Sequence, residues 1–288
     1  MPLYVGTSGW QYRDWRVAFY PEKVPVSTWL EQYATRFLTV ENNGTFYRLP
    51  APDTFAAWRA RTPAGFLMAV KASRYLTHVR RLREPAEPVN RLLRAATALG
   101  DRLGPVLLQL PPTMQADAGV LNECLAQFSA QFASLPAVAA RRLRVCVEFR
   151  HDSWFTPEIS GILTAHDAAL CWSDRCARPL GPLWRTASFG YIRFHEGAAR
   201  RWPRYGPQAL RTWLSRVSAC FAPDAEVFAY FNNDQHAAAP ADAAALIHLA
   251  ERAGWPVAQI GSGASAVPAT SQPARTGRPA RAQATTGR

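Results

Sequence analysis

Seven short apolar runs in this chain each meet a polar side chain that a buried strand should not contain. TVEN brings Glu41, MAVK brings Lys71, LLQ brings Gln109 and VCVE brings Glu148. CWSD brings Asp174, IRFH brings Arg193 and His195, and FNND brings Asn232, Asn233 and Asp234. A charge in such a place costs several kcal/mol unless it is paired or hydrogen-bonded. Two glutamates of this kind, Glu41 and Glu148, are candidates for a general acid and base, one with a pKa raised by burial. Lys71 could serve as a Schiff-base amine, a proton donor, or an anchor for a carboxylate or phosphate. Arg193 and Arg150 suit an anionic group, because guanidinium binds oxyanions through two parallel donors. Gln109, Asn43 and Asn233 would orient a substrate. The structural alternative is a plug in which Glu41 and Glu148 merely neutralise Lys71 and Arg193.

Lysine usage sharpens the interest in Lys71. Of 33 basic residues only Lys23 and Lys71 are lysine. Arginine stays charged when buried, whereas lysine can lose its proton. Lys23 sits in a polar loop; Lys71 ends an apolar run.

The flanking loops add further candidates. GTSGWQYRDW carries Thr7, Ser8 and Trp10, NNGTFYRLP carries Asn43 and Tyr47, and FRHDSW puts Arg150, His151 and Trp154 beside Glu148. Rim aromatics among these could stack on a flat ligand or sugar. A metal is the weaker alternative. Glu41, Glu148, Asp174, His195 and Asp234 offer suitable donors, but no pair has a diagnostic spacing and Lys71 and Arg193 would crowd a cation. The expectation is therefore no cofactor and no metal ligand set.

The elements that must position these groups follow from periodicity. Eight β-branched or aromatic-rich runs start near residues 3, 37, 66, 105, 144, 169, 190 and 226. Most intervals hold one helix between successive strands. Helical spacing is expected over 26–37, over 53–61 with Asp53 as N-cap, over 88–103, 118–132 and 207–221, and over 241–253 with Gly254 as the stop. Eight alternating units predict an α/β fold of the TIM (β/α)8-barrel type, a single domain over residues 1–256. In such a barrel the polar strand ends gather at the C-terminal rim. An open doubly wound sheet would carry a glycine-rich phosphate turn after its first strand, and GTSGW is not one.

Composition bounds the rest. Five cysteines without a CxxC pair predict neither disulfides nor a cysteine-bound metal, and they fit a reducing cytoplasm. No apolar run reaches the roughly 18 residues of a membrane span. Net charge is +12, four charges of which fall in an Ala-, Pro- and Thr-rich stretch over 257–288 that reads as a disordered tail. The remaining basic groups, at Arg80–Arg81–Arg83, Arg141–Arg142–Arg144 and Arg200–Arg201–Arg204, read as solvated surface. Nucleic-acid binding is thus an alternative partner class, behind a small-molecule ligand.

Taken in order, GTSGWQYRDW, FYP, VENNGTFYRLP, FLMAVKASRYLTH, LGPVLLQLPP, VEFRHDSW, RFHEG and YFNND resemble the YecE-like family (domain of unknown function seventy-two) over roughly residues 3–255. The resemblance implies a TIM barrel and no established activity. Asn42 and Gly44 depart from the family's usual residues, and Glu196 adds a carboxylate within RFHEG. The functional expectation is acid–base chemistry (hydrolase, isomerase or lyase) on a small polar, anionic or sugar-like substrate. A nucleic-acid-associated protein and a non-catalytic ligand-binding barrel are the alternatives.

Overall fold

The structure, a computed structural model, describes residues 2–135, 143–222 and 224–258. Nine strands are present among them: β1 (Leu3–Thr7), β2 (Thr39–Asn42), β3 (Leu67–Lys71), β4 (Leu103–Gln109), β5 (Val145–Glu148), β6 (Ala169–Arg175), β7 (Arg178–Pro179), β8 (Gly190–Phe194) and β9 (Val227–Phe231). Eight run parallel in the order β1-β9-β8-β6-β5-β4-β3-β2, and the two-residue β7 folds back antiparallel on β6. All eight expected runs are strands, and the expected TIM-type barrel is the fold.

The seam between β1 and β2 is the loosest part of the cylinder. It is held by a parallel bridge between Ser8 and Glu41 and by the Gly9 amide donating to the Glu41 carbonyl at 2.8 Å. Tyr33 braces it from outside: its hydroxyl accepts from the Thr7 amide and donates to the Thr39 carbonyl, both at 2.9 Å. Gly6 permits this closeness, since a Cβ there would sit 2.2 Å from the Thr39 carbonyl oxygen.

Two apolar layers follow from the strand alternation. One lies inside the cylinder, where Tyr4, Leu67, Ala69, Leu107, Cys146, Cys171, Tyr191, Phe228 and Tyr230 fill the bore. The other lies between sheet and helices. The helix over Ala118–Phe132 shows its logic: Leu121, Cys124, Leu125 and Phe128 recur at helical spacing and are buried, and Asp117 caps the Val120 amide at 3.1 Å.

Several helix boundaries differ from expectation. The helix expected over 53–61 runs over Pro52–Ala60, so Asp53 lies in its first turn rather than at its cap; proline's fixed φ suits the first helical position. The stretch 26–37 resolves into a 3-10 turn at Val26–Thr28 and a short helix at Trp29–Ala34. Helices Ala86–Ala96 and Ala238–Arg252 start earlier than expected, and the former passes into a 3-10 segment, Thr97–Arg102. A helix at Pro157–Ala165, capped by Thr156, had no strong apolar stripe to announce it. Arg141, Arg142 and residues 259–288, and with them the basic tail apart from 257–258, lie outside the described residues. No described helix is long and apolar enough to cross a membrane.

Candidate active site

Residues two apart on a strand share a face. Stepping up each inner face therefore passes from bore-filling residues to polar ones: Ala69 to Lys71, Leu107 to Gln109, Cys146 to Glu148, Tyr191 to Arg193, Tyr230 to Asn232. Parallel pairing sets Gln109 opposite Glu148 and Ser173 opposite Arg193. The polar strand ends thus form the top layer of the bore.

Arg193 is the hub of that layer. Its Nη1 donates to Glu148 Oε2 at 2.6 Å and its Nη2 to Glu41 Oε1 at 2.8 Å, with all three side chains buried. Ser8 and Tyr191 donate to the two Glu41 oxygens, each at 2.7 Å. Glu148 Oε1 receives Arg150 Nη2 at 2.8 Å and faces His195 Nε2 at the same distance. Burial alone would raise both carboxyl pKa values. Arg193 overcomes it, helped at Glu41 by Tyr191 and at Glu148 by His195, and holds both below the ordinary carboxylate range. The expectation of one raised glutamate pKa is corrected: these two are ionised anchors for a buried guanidinium.

At the mouth the raised carboxyl is Asp174 instead. Burial pushes it up to about 7, against the donors that favour its charge. Tyr205 donates to both of its oxygens, at 2.7 and 2.6 Å, and the His195 amide donates to Oδ1 at 2.7 Å. His195 is itself held on both ring nitrogens. Asn232 Nδ2 lies 3.0 Å from Nδ1, while Nε2 lies 2.8 Å from Glu148 Oε1 and 3.0 Å from Arg150 Nη2. Burial lowers the His195 pKa despite Glu148, which favours the neutral ring.

Lys71 differs from its neighbours. Its ammonium lies 4.4 Å from the centroid of the Phe46 ring, and the amine forms no hydrogen bond or ion pair with any described residue. Burial, then Arg193, push its pKa down to about 8, against the pull of Glu41 and Glu148.

A cavity of about 620 Å³ opens over β4–β6, β8 and β9, with Gln109, Arg150, Asp174, His195 and Asn232 on its polar side and Phe149, Phe155, Leu180 and Trp202 among its apolar walls. Lys71 stands outside that lining, on the β3 side of the mouth. Arg150 links the two, since it lines the cavity and its charge also depresses Lys71. The Nε atoms of Arg150 and Arg193 are buried without a hydrogen-bond partner among the described residues. Both Nε atoms are thus shielded from the cavity, and of these two arginines only Arg150 lines it. No group of three or more His, Cys, Asp or Glu side chains able to hold a metal exists among the described residues.

The structure brings Ser8, Glu41, Lys71, Gln109, Glu148, Arg150, Asp174, Arg193, His195 and Asn232 to one mouth. Other candidates are placed elsewhere. Thr7 points to Tyr33 and the Gly9 carbonyl, and Trp10 packs edge-on against Trp58 in the outer core. His151 caps the turn at Ser153, and Trp154 is buried, stacked on Phe149 and bonded to the Met114 carbonyl. Asn233 ties Pro203 to Asp242. These face the helix layer because they fall on the outer alternation or within the loop's own turn. Tyr47 is exposed, Asp234 is half-buried with its carbonyl accepting from Trp15, and Asn43 is half-buried with Oδ1 unpartnered. Sequence reasoning missed Tyr191, Tyr205 and Phe46. Tyr191 was findable, lying two residues before Arg193 on one strand face; Tyr205 comes from a loop and Phe46 from the one-turn helix Gly44–Tyr47, and neither carries such a signal.

The family model described as protein of unknown function DUF72 matches residues 4–266. The chain belongs to that family. DUF72 relatives include the UPF0759 protein YecE of Escherichia coli, 33% identical over 112 residues, a match spanning only 38% of each chain. The UPF0759 protein YunF of Bacillus subtilis is 23% identical over 81% of this chain and 89% of its own. Among solved structures, a DUF72 family protein of Thermotoga maritima superposes with a TM-score of 0.68 at 26% identity, covering 87% of this chain and all of that one. These relatives carry the fold and the family; their names state no reaction.

Proposed function

We propose that this DUF72 barrel is an enzyme acting on a small anionic carbonyl compound, with Lys71 as its reacting amine. The observation that carries the reading is the isolation of Lys71. Every other charged group of the inner layer is held by an oppositely charged or hydrogen-bonding neighbour, whereas the Lys71 amine meets only the face of Phe46 among the described residues. A lysine desolvated beside fixed cations keeps a reactive neutral fraction near neutral pH, and here Arg193 and Arg150 are those cations. Arg150, with Gln109 and Asn232, lines the cavity and would receive the carboxylate or phosphate of the substrate. The neutral amine attacks the carbonyl carbon, and the carbonyl oxygen departs as water with one amine proton and one proton from an acid. The iminium then takes up the electrons of a C–H bond on the adjacent carbon as that proton passes to a base, leaving an enamine. Asp174, titrating near neutrality at the cavity wall, is suited to relay a proton.

The test is reduction with borohydride in the presence of a panel of 2-oxo acids and phosphorylated aldehydes, followed by peptide mass spectrometry. The expected result is a substrate-dependent mass gain at Lys71 that Lys71→Arg abolishes. Absence of any adduct, with Lys71 failing to label half-maximally near pH 8 with an amine reagent, would leave Lys71 a structural cation and end the proposal.

A further inference from the structure

Outside the mouth, the loops after β2 and β3 frame a second surface of distinctive chemistry. Tyr47 is 81% exposed and Tyr75 44% exposed, although both sit on an otherwise well-packed rim. They line a groove of about 470 Å³ together with Arg48, Arg74 and Arg91. A second groove of about 930 Å³ shares Arg48 and Arg91 with the first and adds Arg94 and the Pro50–Pro52 corner. Among the described residues Glu87 is the only carboxylate lining either one, and its approach to Arg91 is long, at 3.8 Å.

The tyrosines are posed rather than loose. Arg80 Nε donates to the Tyr75 hydroxyl at 2.8 Å, and its guanidinium lies 5.4 Å from that ring's centroid. Tyr47 stands perpendicular to Phe46 at 5.0 Å, and Phe46 is fixed in turn by His78. Exposed apolar area held in this way is costly without a partner. The two grooves adjoin at Arg48, Leu49 and Arg91, so the basic surface extends from one into the other. An extended polyanion with flat groups matches them: phosphates for the arginines, rings for the tyrosines.

We propose that this groove binds single-stranded nucleic acid, with bases stacking on Tyr47 and Tyr75 and phosphates meeting Arg48, Arg91 and Arg94. The two exposed tyrosine rings favour it over an acidic peptide, whose carboxylates would leave those rings unused. The inference is independent of the amine chemistry assigned to Lys71.

The test is fluorescence anisotropy of the full chain with a labelled oligothymidylate of about ten nucleotides. Binding should weaken with salt, and Arg48→Ala with Arg91→Ala should lower the log–log slope by about 0.7 for each phosphate that no longer meets a guanidinium. Tyr47→Ala with Tyr75→Ala should weaken binding about tenfold or more at constant salt slope. All four side chains are at the surface, and an unchanged urea midpoint in each variant confirms that the fold is intact. No binding at low salt overturns the proposal. So does binding indifferent to both pairs of substitutions, which would assign the strand to other basic segments, and so does a glutamate-rich peptide displacing the oligonucleotide at equal concentration.

Discussion

Arg193 and Glu148 meet at 2.6 Å inside the barrel with neither side chain in contact with solvent, and the same guanidinium reaches across the bore to Glu41. A pairing of this kind adds little to stability over apolar packing, yet breaking it from one side is expensive.

Arg193→Met should therefore cost about 3–5 kcal/mol of unfolding free energy, because two carboxylates are left buried without a counter-charge. Urea denaturation at pH 7 measures it. The triple variant with Glu41→Gln and Glu148→Gln should recover most of the loss; a single variant as stable as wild type would mean that water, not the guanidinium, solvates the glutamates.

Acid should act through the same pair. Both carboxyls titrate below their unfolded value of about 4.3, so the stability that they contribute is complete above that pH. It is lost as pH falls through their lower folded values. Unfolding free energy should drop steeply below about pH 4, and Glu148→Gln should flatten that limb. Parallel acid limbs for the two proteins would contradict the assignment.

Lys71 has the opposite linkage. Its folded pKa, about 8, lies below the unfolded lysine value of about 10.4, so the unfolded chain binds the extra proton between them. Stability from this group therefore rises with pH across that window. Lys71→Met should be more stable than wild type at pH 7, and the difference should shrink towards pH 10. Guanidinium titrations at the two pH values decide it, and a Met variant less stable at pH 7 would show that the amine is held by an attraction beyond Phe46 and the two glutamates.

Tyr205→Phe removes a donor that reaches both oxygens of Asp174. The loss should be about 1–3 kcal/mol at pH 8, where Asp174 is mostly ionised, because a buried acceptor is left short of a partner. Asp174 should then titrate higher still. Its raised folded pKa means that this group favours folding most at low pH and loses that contribution as pH climbs from about 4 to about 7. The Phe variant should lose more stability at pH 8 than at pH 5, and equal losses at both would argue that Asp174 stays neutral throughout.

Much of this molecule is readable in its sequence. The barrel was legible because eight apolar runs are spaced for intervening helices and most of them stop on a polar residue, and a parallel strand buried on both sides leaves little other freedom. Glu41, Glu148 and Arg193 were legible as members of one site for the same reason. Their protonation was not: burial argued for a raised glutamate, and only the position of Arg193 between both carboxylates reverses the sign. Trp154 and Trp10 misled because an aromatic next to a polar strand end reads identically whether its loop turns it inward or onto the outer core. Tyr205 comes from the segment between β8 and the helix over Pro207–Cys220, where no periodicity says which way a ring will point.

The filled bore has a consequence for traffic. Tyr4, Phe189, Phe228 and Tyr230 stopper the cylinder beneath the charged layer, so nothing can drain through the far end. A ligand of Lys71 would have to leave by the same doorway through which it entered, because the filled bore offers no second exit.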